Sequence, residues 1–207
     1  LPTFGFEVAE VIKHANPTRD FNNIVLRMKS VNPDIVIPAN YFNEYALLVR
    51  TMQQQKVVPK AIYSVLGGAA SSYKFLKEFP DAANGIIDCN HWFNPKDARS
   101  AALRKRVEAK GLFYTYEIFN TYTAVRLLAD AIERAGRIGK GADRAAITAA
   151  LAASTFSDHF MPYGPTKFVN GQNEGAQPLM TQVIKGDIRV IVPRDYREAD
   201  PIFPLRA

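Results

Sequence analysis

A glycine pair, three histidines and a single cysteine are the residues of this sequence best suited to chemistry. The stretch SVLGGAAS, residues 64–71, follows the strand-like run KAIYSVL and precedes the helix-like SSYKFLKEF. A strand that ends in glycines and opens a helix presents backbone N–H groups, which favour an anion. A phosphate fits poorly. The P-loop needs GxxxxGK followed by Ser or Thr, and the dinucleotide fingerprint needs GxGxxG. SVLGGAAS has neither pattern, and GRIGKGADR, residues 136–144, also lacks the spacing.

Catalysis and metal binding find no better support. Ser71-Ser72-Tyr73-Lys74 matches the SxxK of acyl-enzyme serines, but the companion SDN and KTG motifs are missing. His14, His91 and His159 lie far apart and form neither HxxxH nor HExxH, and Cys89 stands alone. A structural zinc site and an internal disulfide are therefore not expected. The expectation is a protein without catalytic residues, metal or cofactor, and not an enzyme.

Composition narrows the classes further. The chain has 207 residues, 47% hydrophobic and 22% charged, which suits one large or two small globular domains. No apolar run approaches the ~20 residues of a membrane span. Leu1-Pro2-Thr3 does not open a signal peptide, so any export signal is expected to be absent from this chain. The net charge of +6 invites a nucleic-acid reading. The basic residues are scattered, however. Their densest cluster, Arg99, Arg104, Lys105, Arg106 and Lys110, reads as the solvated face of a helix. With no helix-turn-helix, zinc-finger or RNP pattern, no nucleic-acid partner is expected.

The framework that must position these candidates alternates strand and helix. FGFEVAEVI, residues 4–12, alternates in part and predicts a strand over 7–12. Asp20 can cap a helix in which Phe21, Ile24, Val25 and Met28 fall at helical spacing, and Asn32-Pro33 stops it. Strands are predicted over 35–38, 62–66 and 86–89, with helices over 44–55, 71–79 and 97–110 between and after them. Such alternation implies βαβ units, a mostly parallel sheet and helices on both faces. Ligands bind such sheets outside the carboxyl ends of the strands. Those ends here are Ala39-Asn40-Tyr41, Leu66-Gly67-Gly68 and Cys89-Asn90-His91-Trp92. After Gly111 the pattern changes to a long helix, residues 116–135, with Ile118, Phe119, Tyr122, Val125, Leu128, Ala129 and Ile132 on one stripe. An Ala-rich helix follows over 143–152. Two apolar runs flanking Lys185-Gly186-Asp187 then predict a β-hairpin.

The ordering of these segments resembles a known family. TYTAVRLLADAIERAG, YGPTKFVNGQNEG and PLMTQVIKGDIRVIVP in the second half, and DFNNIVLRMKSVNPDIVIPANY in the first, are similar to segments of the periplasmic substrate-binding proteins of branched-chain amino-acid type. The resemblance implies an α/β fold of the type I periplasmic-binding-protein kind, in which two lobes close on a small ligand. It implies a second-lobe domain over residues 1–112, helices over 113–160 that return to a first lobe lacking most of its parts, and a crossover segment with hairpin and tail over 161–207. It further implies an exported, periplasmic receptor that works with an inner-membrane ABC permease. The long helix would leave an apolar stripe uncovered and favour self-association of the chain. A ligand-sensing regulatory subunit of the same fold is the alternative.

The resemblance also assigns the site. Family members carry an acid near the glycine turn to pair with the ligand's ammonium, whereas Leu66-Gly67-Gly68 has none. Burying an ammonium without a partner costs several kcal/mol. A carboxylate lacking an α-amine, such as an aromatic acid, is therefore favoured over a branched-chain amino acid, with Glu44 and Glu117 as substitute acids for the latter. The expected ligand-binding residues are Tyr41, Leu66, Gly67, Gly68, His91, Trp92, Tyr114 and Tyr116. Each also has a plain structural role: the glycines can simply turn the chain, Trp92 can be core, and Tyr114 and Tyr116 can cap the long helix.

Overall fold

The computed structural model describes residues 1–65 and 68–205; Leu66 and Gly67, expected at the site, lie outside the described residues. Helix α1, Asn22–Val31, begins where Asp20 Oδ1 accepts the Asn22 N–H at 2.8 Å. The short carboxylate thereby satisfies a backbone donor near the helix start. Phe21 and Val25 are buried, with Ile24 and Met28 packed against the same core. Asn32 ends the helix in the left-handed region, φ 50°, and its N–H returns to the Met28 carbonyl. Strand β1 is Ile35–Val36. Helix α2, Phe42–Gln54, buries Tyr45, Leu48, Val49 and Met52 on one face, the spacing that places side chains over one another along a helix.

Strand β2, Ala61–Val65, leads to α3, Tyr73–Glu78, and a short α4, Pro80–Ala83. The helix predicted over 71–79 forms as α3, and α4, which the sequence pattern does not predict, opens at Pro80, where the missing N–H is not needed. Strand β3 is Ile87–Asn90. Helix α5, Ala98–Glu108, is capped by Asp97, which accepts the Arg99 N–H. Only Ser100 and Val107 of α5 are buried, so it is largely a solvated helix. Arg104 is the exception: its guanidinium lies 3.9 Å over the Tyr73 ring and donates to the Tyr73 hydroxyl at 2.8 Å.

Helices α6, Tyr116–Gly136, and α7, Arg144–Ala152, pack on each other. Two hairpins complete the chain. In the first, β4, Phe168–Val169, and β5, Gln172–Asn173, flank Asn170-Gly171 at φ 50° and 80°. In the second, β6, Leu179–Ile184, and β7, Asp187–Val192, flank Lys185-Gly186 at φ 52° and 78°. Two central residues at positive φ give the turn whose twist matches paired strands.

The main sheet has the order β1-β2-β3-β6-β7. β1, β2 and β3 run parallel, and β6 and β7 join them antiparallel. The sheet is therefore mixed, and the predicted parallel part is its first three strands. Residues 7–12 do not form the predicted strand. Phe4, Phe6 and Val8 alternate, yet all are exposed, and no described strand pairs with them. Alternation prepares a face but supplies no ladder partner. A single apolar core joins Phe21, Tyr45 and Phe75 to Trp92, Phe119, Phe160 and Val190.

Candidate functional site

An open cavity of about 930 Å³ lies at the carboxyl-terminal rim of the parallel strands. Four pieces of chain build it: residues 16–19 ahead of α1, the first turns of α2 with Tyr41 and Glu44, the turn with Gly68 and Ser72 between β2 and α3, and Thr115-Tyr116-Glu117 at the start of α6. The turn is held to the α6 start by an antiparallel bridge between Ser72 and Thr115, and by the Tyr73 N–H on the Tyr114 carbonyl at 3.2 Å. Gly68 answers the question raised by the glycine pair. Its φ is +73°, and a Cβ there would come within 2.9 Å of the Tyr116 ring. Only glycine lets the turn and the tyrosine meet so closely.

Both charge signs line the cavity. Arg19 and Lys74 supply cations, and Glu44 and Glu117 supply carboxylates. Glu44 is 6% exposed and accepts the Thr18 backbone N–H at 3.2 Å. The residues that begin α2 and α6, Tyr41 and Thr115, make no side-chain cap hydrogen bond. The first N–H groups of both helices thus lack a side-chain cap, while Glu44 and Glu117 in the same first turns offset part of their positive charge. Tyr41 is 73% exposed and forms a wall of this cavity and of a second one of about 560 Å³, lined also by Lys13, His14 and Asn40. Within that second lining, Asn40 Nδ2 donates to His14 Nε2 at 2.7 Å. Burial raises the Tyr116 hydroxyl above its ordinary range, and the Glu117 charge adds to the effect.

Of the predicted site residues, the structure brings Tyr41, Gly68 and Tyr116 together around the cavity. It does not bring Trp92, Tyr114 or His91 there. Trp92 is fully buried, with Phe93 at 5.0 Å and Phe119 edge-on at 5.2 Å between ring centroids. Tyr114 is fully buried in the same aromatic cluster, 5.7 Å from Phe119. Both side chains are turned into the core by α6, whose Phe119 covers them. His91 is half-buried, and its N–H is taken by Asn90 Oδ1 at 2.8 Å. Sequence reasoning missed Arg19, Ser72, Lys74 and Thr115. Their only signal was nearness to helix starts, which many polar residues share. Among the described residues no group of histidine, cysteine and carboxylate side chains could hold a metal ion.

The chain belongs to the periplasmic binding protein family, whose model matches residues 1–187. This is a family of substrate-binding proteins, and its members are periplasmic or extracellular components of ABC importers. A curated relative, the Leu/Ile/Val-binding protein BraC3 of Rhizobium johnstonii, is 31% identical over 119 residues, 57% of this chain and 31% of the relative. An extracellular ligand-binding receptor from Rhodopseudomonas palustris superimposes with a TM-score of 0.73 at 20% identity, covering 91% of this chain and 56% of that one. An ABC-transporter solute-binding protein from R. palustris, solved in complex with benzoate, gives a TM-score of 0.69 at 18% identity, covering 86% and 48%. The chain thus spans about half the length of these structures and less of the curated relative.

Proposed function

We propose that this chain is part of the solute-binding component of an ABC importer, which captures a small organic carboxylate at the rim cavity and presents it to a membrane permease from the periplasm. One observation carries the reading: two tyrosine walls, Tyr41 and Tyr116, flank a cavity into which Arg19 and Lys74 bring positive charge. Aromatic faces suit an apolar body, and the charges suit its carboxylate. The benzoate held by the R. palustris protein is a ligand of that kind. On this reading residues 1–112 form the lobe that carries the cavity together with β6 and β7, which complete its sheet, and the start of α6, which walls the cavity; the rest of 113–160 leads to the other part of the clamp.

A second reading, a branched-chain amino acid, is favoured by Glu44. This nearly buried carboxylate lines the cavity and pairs with no Lys or Arg among the described residues. It could receive the ammonium for which the glycine turn offers no acid, and the Leu/Ile/Val-binding relative points the same way. Calorimetric titration with benzoate and with isoleucine separates the two. The first reading expects benzoate to bind and Glu44→Gln to leave that binding in place. Isoleucine binding abolished by Glu44→Gln would establish the second. Failure of both ligands, and of a wider set of small acids and amino acids at millimolar concentration, would sink the solute-receptor assignment.

A further inference from the structure

Beneath the glycine turn lies a buried acid that the cavity lining does not include. Asp88 on β3 has no exposed surface, and its Oδ2 accepts a hydrogen bond from Ser71 Oγ in the turn. Ser64 lies beside it in register on β2, and Thr181 lies beside it on β6. Asn90, two residues further along β3, points to the same face. All three are buried, as is Tyr45 of α2, which feels the Asp88 charge. Tyr45 Oη, Ser64 Oγ, Asp88 Oδ1 and Asn90 Nδ2 have no hydrogen-bond partner among the described residues. Ser64 and Asn90 lie close enough to favour the charged carboxylate, but neither completes a bond to it. A buried polar group left unpaired costs ~1–3 kcal/mol. An acid in this position therefore calls for a reason beyond packing.

The location supplies one. Ser71 sits between Gly68 and Ser72, and both of those line the cavity. Asp88 is thus one hydrogen bond away from the turn that meets Tyr116. We propose that Asp88 is a positioning residue for the ligand cavity, holding the turn from Gly68 to Ser72 in place through the Ser71 hydroxyl. The proposal rests on the cavity being the ligand site.

The charge state of Asp88 follows from its surroundings. Among the described residues the titratable groups that feel its charge are Tyr45 on α2, Tyr63 on β2 and Tyr116 on α6, and none is a cation. Burial raises the carboxyl above its ordinary value of 3.8. The folded chain then holds this proton more tightly than the unfolded chain does. The resulting stability is complete below that ordinary value and is lost as pH rises through the raised one. A neutral carboxyl keeps both a donor and an acceptor in the set without an uncompensated charge. Raising the pH should charge Asp88; the Ser71 bond favours that charge, but burial outweighs it, so opening the turn to water becomes easier and the site weakens.

The test uses Asp88→Asn and Ser71→Ala in the whole chain, with two measurements. The first is hydrogen exchange of the turn amides between residues 68 and 72 without ligand, corrected for intrinsic exchange and followed against pH. Protection should fall with rising pH in the native chain, become flat in Asp88→Asn, and drop ~5-fold at every pH in Ser71→Ala, the loss of about one hydrogen bond. The second is affinity for whichever of benzoate and isoleucine binds, which should follow the same three profiles. Turn protection that ignores both substitutions and pH overturns the proposal. Turn protection that responds while affinity does not also overturns it. If neither ligand binds the native chain, the cavity reading fails, and the positioning role for a ligand site falls with it; the exchange data still report whether Asp88 holds the turn. Should Asp88→Asn fail to fold, Ser71→Ala and the pH profile of the native chain decide the matter.

Discussion

Helices α2 and α6 both start at the cavity and both carry an apolar stripe, yet they end in different surroundings. α2 has 13 residues and buries seven of them. α6 has 21 residues and buries four. The start of α6 is core, because Phe119 closes over Trp92 and Tyr114. Beyond it the stripe emerges: Val125 is 61% exposed, with Leu128 and Ile132 also exposed. The difference teaches that helical periodicity specifies a face, whereas burial depends on what the rest of the chain lays against that face.

The largest effect is expected where α6 is covered. Trp92→Ala should cost ~3–5 kcal/mol, the usual loss for a large aromatic removed from a packed core. Thermal or denaturant unfolding measures it. Affinity of the folded fraction for benzoate or isoleucine should stay unchanged; a loss of affinity without a fall in stability would return Trp92 to the cleft and erase the contrast drawn here. Leu48→Ala on α2 comes next, at ~2–5 kcal/mol, because Leu48 is buried against the same core. A cost below ~1 kcal/mol would mean that α2 is no better covered than the outer part of α6.

At the shared end of the two helices the readout is binding. Tyr41→Ala should weaken the bound ligand by ~1–3 kcal/mol if its ring is a central contact, with little change in stability because the ring is 73% exposed. The smallest stability effect is expected at the open stripe. Leu128→Ser should change stability by no more than ~0.5 kcal/mol, as exposed substitutions do. The same change should reduce self-association of the chain in light scattering, since a contiguous apolar stripe marks a contact surface. A native chain that stays monomeric would argue against the stripe as such a surface.

Much of the framework was legible from local pattern. The left-handed stop at Asn32, the hairpin at Lys185-Gly186 and the long helix from Tyr116 to Gly136 stand where spacing and turn chemistry put them. The site was legible only in part. Tyr41, Gly68 and Tyr116 meet at the cavity, and each sits where a strand ends or a helix starts. Trp92 follows a strand end too, but its side chain is turned inward by Phe93 and Phe119. Asp88 carried a signal that a closer reading could have used: GIIDCN sets one acid inside a strand, where an acid needs a partner.

The sequence by itself determined the alternation of strand and helix from α1 to α5, the long helix α6, the hairpin at Lys185-Gly186, and the family. These are properties of short windows, in which backbone preference and side-chain period act over a few residues. Tertiary structure alone decided which rim aromatics face the cavity, that Arg19, Glu44, Lys74 and Glu117 meet around one space, and that Ser71 closes on Asp88. It also left residues 7–12 without a strand to pair with among the described residues. The physical reason is common to all of these. A cavity wall, a ladder bond and a buried acid each need a partner from a distant part of the chain, and only the packing of the whole core determines which partner arrives.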